Sequence, residues 1–213
     1  MEWKGTRALA ERQAMHYGLR FEVSRYRNKD GEHLNLLDYV RKRGKWPDNK
    51  NRYCTSDFKR GPGKRVVTML YREDPGDILN VFGFRREESP ARKKKEPFAR
   101  NAALCTKKRE VWDWLPIHDW TENEVWESIS RSNVPYHPAY DLGMPRLSCV
   151  FCIFAPRDAL LVAGRANPEL LDEYCDLEEE IGHTFQNGKP IREIREAIQR
   201  GEQPRNLHGA WNM

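Results

Sequence analysis

The sequence predicts an α/β domain with an open, mostly parallel sheet and a helical C-terminal cap. Three observations predict it. Short apolar runs at 78–84 and 110–115 read as strands. Segments of helical period flank them on both sides. From residue 156 onward the period is helical only.

In chain order, residues 3–17 read as a helix with a partial apolar face that includes Ala8 and Met15. Leu19-Arg20-Phe21-Glu22-Val23 alternates and reads as a short strand. Residues 26–33 are polar and read as a loop. Leu34 to Arg43 reads as a helix stopped by Gly44 and Pro47. A helix capped by Thr55 or Ser56 is expected to run irregularly past Gly61-Pro62-Gly63 to Tyr71. Ile78 to Phe84 is the clearest buried strand, and 85–108 reads as a long basic loop. Glu110 to Leu115 is a second strand, closed by Pro116. Thr121 and Glu124 form a capping box that opens a helix with Val125, Trp126 and Ile129 on one face. Residues 133–153 are rich in Pro and Gly and read as irregular. Helices follow near 156–165, 167–184 and 190–200. The domain division expected is an α/β domain over 1–155, a helical extension over 156–200 and a tail over 201–213. An α/β domain usually opens with a strand and a phosphate-gripping turn. This chain opens on a helix, so the first βα unit is expected to be missing.

Composition narrows the function classes. No apolar run approaches the roughly 18 residues that span a membrane. The N-terminus, MEWKGTRALAERQ, has charge where a signal peptide needs an apolar stretch, so the expected compartment is the cytoplasm. There the five cysteines read as metal ligands, redox groups or small buried hydrophobes rather than disulfides. Net charge is +5 but unevenly spread. Residues 41–65 hold ten Lys or Arg against two acids, and 85–109 hold ten against three. Residues 168–180 hold seven acids and no base, which reads as an acidic helix facing water. The two basic clusters read as anion-binding surfaces, or else as solvated charge.

Three constellations carry chemistry. Cys149-Val150-Phe151-Cys152 lets two thiolates face one ion. Cys54 and Cys105 would complete four ligands, stapling distant segments. Free or buried thiols, or a redox dithiol, are the alternatives. Cys175, among Leu171, Tyr174 and Leu177, reads as a packing residue, and His118 and His183 are given no role. His137 stands beside Pro138 in a loop able to present ligands. In the second constellation, strand residues ending at Gly83 lead into Arg85, Arg86, Ser89 and Arg92. Ligands bind beyond the carboxyl ends of strands, and arginine forks grip sulfate or phosphate oxygens. In the third, Lys59 and Arg60 follow Cys54 by about one helical turn, placing a cation near a thiol.

These residues resemble a known family. Arg52-Tyr53-Cys54 with Lys59, Gly83 through Arg92, Pro116 through Trp126, and Pro135-Tyr136-His137-Pro138 leading to Cys149-Val150-Phe151-Cys152 are similar to the phosphoadenosine phosphosulfate (PAPS) and adenylyl-sulfate reductases. The likeness is collinear over roughly residues 1–155. It implies an adenine-nucleotide alpha-hydrolase-like fold with a five- or six-stranded sheet. It implies that Arg85, Arg86, Ser89 and Arg92 contact a sulfate or phosphate of an adenylylated or sulfated nucleotide. Lys59 and Arg60, by their spacing from Cys54, are expected to lower a thiol pKa or to hold an anionic substrate.

In the adenylyl-sulfate branch a Cys-Cys pair and a Cys-x-x-Cys hold a four-iron (4Fe-4S) cluster. Here Thr55 follows Cys54, so Cys105 would supply the fourth ligand, with zinc as the alternative occupant. The family's Ser-Gly-Gly-Lys-Asp-Ser-like loop and its Glu-Cys-Gly-Leu-His-like tail have no counterpart here. The expected activity is sulfonucleotide reduction, or sulfur transfer like that of the related DNA phosphorothioation proteins. A non-catalytic or truncated, metal-stapled domain binding nucleotide or nucleic acid is the alternative. A second copy or a partner chain would complete the sheet.

Overall fold

The computed structural model describes residues 1–206. Its chain divides into two compact units. Compactness groups the chain differently from its linear order: residues 1–21, 25–59 and 136 onward form the first unit, and residues 22–24 and 60–135 the second.

The first unit is built around aromatic rings. Its helices are α1 (Thr6–His16), α2 (Leu36–Arg43), the single turn α3 (Tyr53–Thr55), α7 (Arg157–Ala166), α8 (Pro168–Ile181) and α9 (Arg192–Gln199). Asn35 caps α2, accepting from the Asp38 amide at 2.9 Å while Asp38 reaches back to the Asn35 amide. Gly44 ends that helix at φ 64°, a left-handed position where a side chain would be strained. Leu37 and Val40 of α2 join Trp46, Tyr53, Phe151, Leu161, Tyr174, Leu177, Phe185 and Ile191 in one core. Trp46 stacks on Tyr174 at 5.1 Å, and Phe151 and Phe185 meet Tyr174 edge-on. The helical cap expected from residue 156 therefore shares one core with the first 59 residues.

The second unit holds α4 (Gly61–Glu73), β1 (Ile78–Val81), α5 (Pro90–Lys93), β2 (Phe98–Arg100), β3 (Val111–Trp114) and α6 (Glu122–Ser132). The sheet order is β1-β3-β2. β1 runs parallel to β3, with Ile78 opposite Val111, and β2 runs antiparallel to β3, with Phe98 opposite Trp114. The sheet is small, open and mixed, with three strands among the described residues where five or six were expected. A polar ladder crosses it: the Asp113 carboxylate accepts from Asn80 and from Asn101, each at 3.0 Å.

Several expectations need correcting. Leu19–Val23 is not a strand: it pairs with nothing in the sheet, and Leu19 and Val23 stand exposed. The run at 78–84 is a strand only to Val81, and it is not buried. Leu79 is 49% and Val81 55% exposed, because the sheet face they share with Trp114 and Phe98 is open. The basic loop 85–108 contains structure. Residues 86–88 form a 3-10 turn, Ser89 caps α5 by accepting the Arg92 amide at 3.2 Å, and β2 follows. The acidic helix does not face water throughout. Glu178 is buried, and its carboxylate accepts the amides of Phe185 and Ile191 at 2.7 and 2.9 Å. Of the expected tail, residues 207–213 lie outside the described residues.

The capping box is as expected, with the Thr121 amide donating to Glu124 Oε2 at 2.7 Å and the Glu124 amide to Thr121 Oγ1 at 3.3 Å. No helix among the described residues is long and apolar enough to cross a membrane.

Candidate functional site

Three of the four expected thiols gather in the first unit, and local structure explains how. Tyr53 is buried and its hydroxyl donates to the Lys45 carbonyl at 2.7 Å, which fixes the turn carrying Cys54. After Thr55 the backbone widens into a π turn over Ser56–Arg60. In an α-helix the residue five along lies roughly 140° round from the first. The wider i→i+5 pattern of a π turn brings the residue five along nearer the face of the first. In Cys149-Val150-Phe151-Cys152 the two central side chains enter the core, and both cysteines are left half-buried at its edge. The Val150 amide donates to the Met1 carbonyl at 2.9 Å, and Glu2 bridges to Cys149.

The electrostatics tie these groups together. Burial pushes the Cys149 thiol pKa up, Lys59 opposes it, and Glu2, Cys152 and Cys54 push it further. Burial also raises that of Cys152, opposed by the Phe154 amide and by Lys59, with Cys54 adding to the rise. Burial works against the Lys59 ammonium, but Cys149, Glu2 and Cys152 outweigh it and hold its pKa above the usual value. Lys59 also hydrogen-bonds Cys149, while much of its surface stays open to solvent. The Cys149 Sγ lies 4.0 Å from Glu2 Oε1.

The donor set suits a soft metal or a cluster, since thiolate is the ligand and binding expels its proton. Among the described residues no three His, Cys, Asp or Glu side chains converge closely enough to hold one metal ion. One more observation fits an occupant: the Tyr174 hydroxyl, within electrostatic reach of Cys149, Cys152 and Cys54, is buried without a hydrogen-bond partner.

Cys105 belongs to the second unit. Its thiol lies 3.6 Å from Glu110 Oε2 and from the Val111 carbonyl, and it accepts the Val111 amide at 3.3 Å. Glu110 is paired with Arg100. His137 is buried with both ring nitrogens engaged. Nδ1 accepts the Ala139 amide at 3.0 Å, so the proton sits on Nε2, which donates to Thr6 Oγ1 at 3.2 Å.

The expected anion-binding residues form a folded loop in the second unit. Arg85 pairs with Glu87 at 3.0 Å, Arg86 with Asp119 at 2.8 Å, and Arg92 with Glu88. Arg92 also lies over the Phe84 ring. Arg60 is exposed. His118 is buried and ties the loop down: its Nε2 donates to the Arg92 carbonyl at 3.0 Å, and its own carbonyl accepts the Arg86 amide at 2.8 Å. An anion would meet these arginines with carboxylates already in place, so binding exchanges one partner for another.

Sequence reasoning missed Glu2, His118 and Tyr174. Glu2 and His118 offered no spacing signal. Tyr174 sits at helical spacing with Leu171 and Leu177, a pattern that reads as core packing.

Residues 1–155 match the family model described as the phosphoadenosine phosphosulfate reductase domain. A 37.8 kDa protein from the gpa 5′ region of Escherichia phage 186 is 26% identical over 153 residues, covering 72% of this chain and 45% of that protein. The adenosine 5′-phosphosulfate reductase of Lysinibacillus sphaericus is 28% identical over 107 residues, 50% of this chain and 40% of that enzyme. That of Neisseria meningitidis serogroup B is 40% identical over 88 residues, 41% of this chain and 34% of that enzyme. The chain thus spans less than half the length of these relatives. With nearly three-quarters of its length matched by the family model, the chain belongs to the phosphoadenosine phosphosulfate reductase domain family.

Proposed function

We propose that this chain carries the sulfur-chemistry centre of a sulfonucleotide-handling protein, which binds an adenylylated or sulfated nucleotide for reduction or sulfur transfer. The observation that carries the reading is the gathering of Cys149 and Cys152 at the Lys59 ammonium, with Cys54 within electrostatic reach of both thiols. These thiols would hold a 4Fe-4S cluster, with zinc as the alternative occupant. When bound, such a cluster supplies an electron reservoir and a local electrostatic field. The chain's own residues do the rest. Lys59 offsets thiolate charge and presents a cation to an incoming anion in the first unit. In the second unit Arg85, Arg86, Ser89, Arg92 and Arg60 would supply anion contacts, with His118 holding the loop in shape.

Cys105 was the expected fourth ligand. Its bonds to Glu110 and Val111 supply an alternative role as a strap on the hairpin before β3, so the reading rests on three thiols. The open apolar face of the sheet, with Leu79, Val81, Phe98 and Trp114 exposed, supports a further part of it: a second copy or a partner chain covers that face.

Anaerobic purification followed by a visible spectrum tests the proposal. The broad absorption of thiolate-bound iron is expected in the wild type and is lost in Cys149→Ala. A colourless wild type without iron would overturn the cluster.

A further inference from the structure

His118 is buried against the arginine loop of the second unit with its ring only half satisfied. Its Nε2 lies 3.0 Å from the Arg92 carbonyl, which can only accept, so in the neutral ring that nitrogen carries the proton. Nδ1 is then a lone pair, sealed from solvent and without a hydrogen-bond partner among the described residues. What it faces is another acceptor, Asp119 Oδ1 at 3.6 Å. An acceptor buried against an acceptor is costly. A proton on Nδ1 removes the conflict, because both nitrogens of an imidazolium donate. Nε2–H keeps the Arg92 carbonyl, and Nδ1–H gains the carboxylate. The same Asp119 oxygen accepts from Arg86 Nη1 at 2.8 Å. The Asp119 side chain is 66% exposed, so that pair is screened by solvent and exchanges readily. The other charges of the loop are matched among themselves, Arg92 by Glu88 and Arg85 by Glu87.

We propose that Arg86, Asp119 and His118 form a proton-coupled oxyanion site: protonation of His118 passes Asp119 from Arg86 to the imidazolium and frees the Arg86 guanidinium for the anion. This rests on the reading of the loop as an anion site. Charge and hydrogen bonding act in the same direction. The imidazolium adds a positive charge to the loop, and it takes the carboxylate that competes with the anion for Arg86. Proton and anion therefore strengthen each other's binding. An oxyanion that binds takes up a proton from solvent, and its affinity rises as pH falls.

The test is a sulfate titration of the full chain between about pH 5.5 and pH 8, the range in which histidine changes charge and sulfate does not. NMR of the arginine and imidazole nitrogens follows it. Without sulfate at the upper end, His118 should show the neutral Nε2–H tautomer. Sulfate should shift the Arg86 signals, bind several-fold more tightly at the lower end, and drive His118 toward the imidazolium in between. His118→Gln keeps an N–H for the Arg92 carbonyl and removes the titrating group, so its affinity should vary much less with pH. Sulfate that leaves Arg86 unshifted at every pH overturns the anion reading of the loop and this inference with it. Sulfate binding whose pH dependence is the same in His118→Gln overturns this inference alone. If His118→Gln does not fold, Asp119→Asn at its exposed position frees Arg86 at every pH. It should bind sulfate more tightly than wild type at the upper end and show a smaller pH dependence. Wild-type affinity and pH dependence in Asp119→Asn would overturn the inference.

Discussion

Glu178 shows how one residue's role can run against its neighbourhood. It belongs to a run of acids, but its carboxylate is buried and accepts the amides of Phe185, Ile191 and, at 3.4 Å, Arg192. Those amides open the segment leading into α9. Glu178→Ala would strand them, at a cost of about 3 kcal/mol or more in urea-unfolding stability. Glu178→Gln keeps an acceptor oxygen and should cost less. Equal losses would show that an acceptor oxygen at this position does not carry the stabilisation. Cys175 carries a second test, of pH dependence. Burial pushes its pKa up to about 11 in the folded chain, from an ordinary value of 9.0. The unfolded thiol therefore ionises first as pH rises. The folded state binds the proton more tightly, so stability falls between roughly pH 9 and pH 11 by about 2–3 kcal/mol. Unfolding curves of wild type and Cys175→Ala across that range should diverge, the wild type losing more. Parallel curves would contradict it.

At the scale of elements, what was legible in the sequence was what is local. The Thr121–Glu124 box, the Gly44 stop and the three C-terminal helices were readable because their causes lie within a few residues. The Leu19–Val23 alternation misled because period alone does not supply a pairing partner. The π turn at Ser56–Arg60, which carries Lys59, has no sequence period of its own. Helix packing was equally hidden. At Gly164 an added Cβ would lie 2.7 Å from Ile198 Cδ1 and 3.0 Å from Leu171 Cδ2, so α7 lies close against α9 and α8. Gly164→Ala gains about 1 kcal/mol of helix propensity but overpacks the contact by about 1–3 kcal/mol. A net loss of about 1 kcal/mol is expected in thermal or urea unfolding. A gain would show that the two methyl groups move aside freely.

Across the whole molecule, the cysteines and arginines of the candidate site could be named from sequence because the motifs stand in order along the chain. Their arrangement could not. Cys54 and Cys149 are 95 positions apart in the sequence, and only the fold brings them within electrostatic reach of one another. The surroundings of Tyr174 were hidden for the same reason, since a helical pattern does not show that a core tyrosine lies within electrostatic reach of three distant thiols. The sequence did not reveal that Arg85, Arg86 and Arg92 each meet a carboxylate, or that His118 holds their loop. Pairs formed by side chains from separate turns leave no spacing rule. The central claim is that three thiols of one compact unit hold an iron–sulfur cluster. Its most direct measurement is iron and acid-labile sulfide per chain, by Mössbauer spectroscopy and chemical assay, in anaerobic wild type, Cys105→Ala and Cys149→Ala. About four irons and four sulfides per chain are expected in the first two and none in the third. A wild type holding a single zinc, or none of these metals, would contradict it.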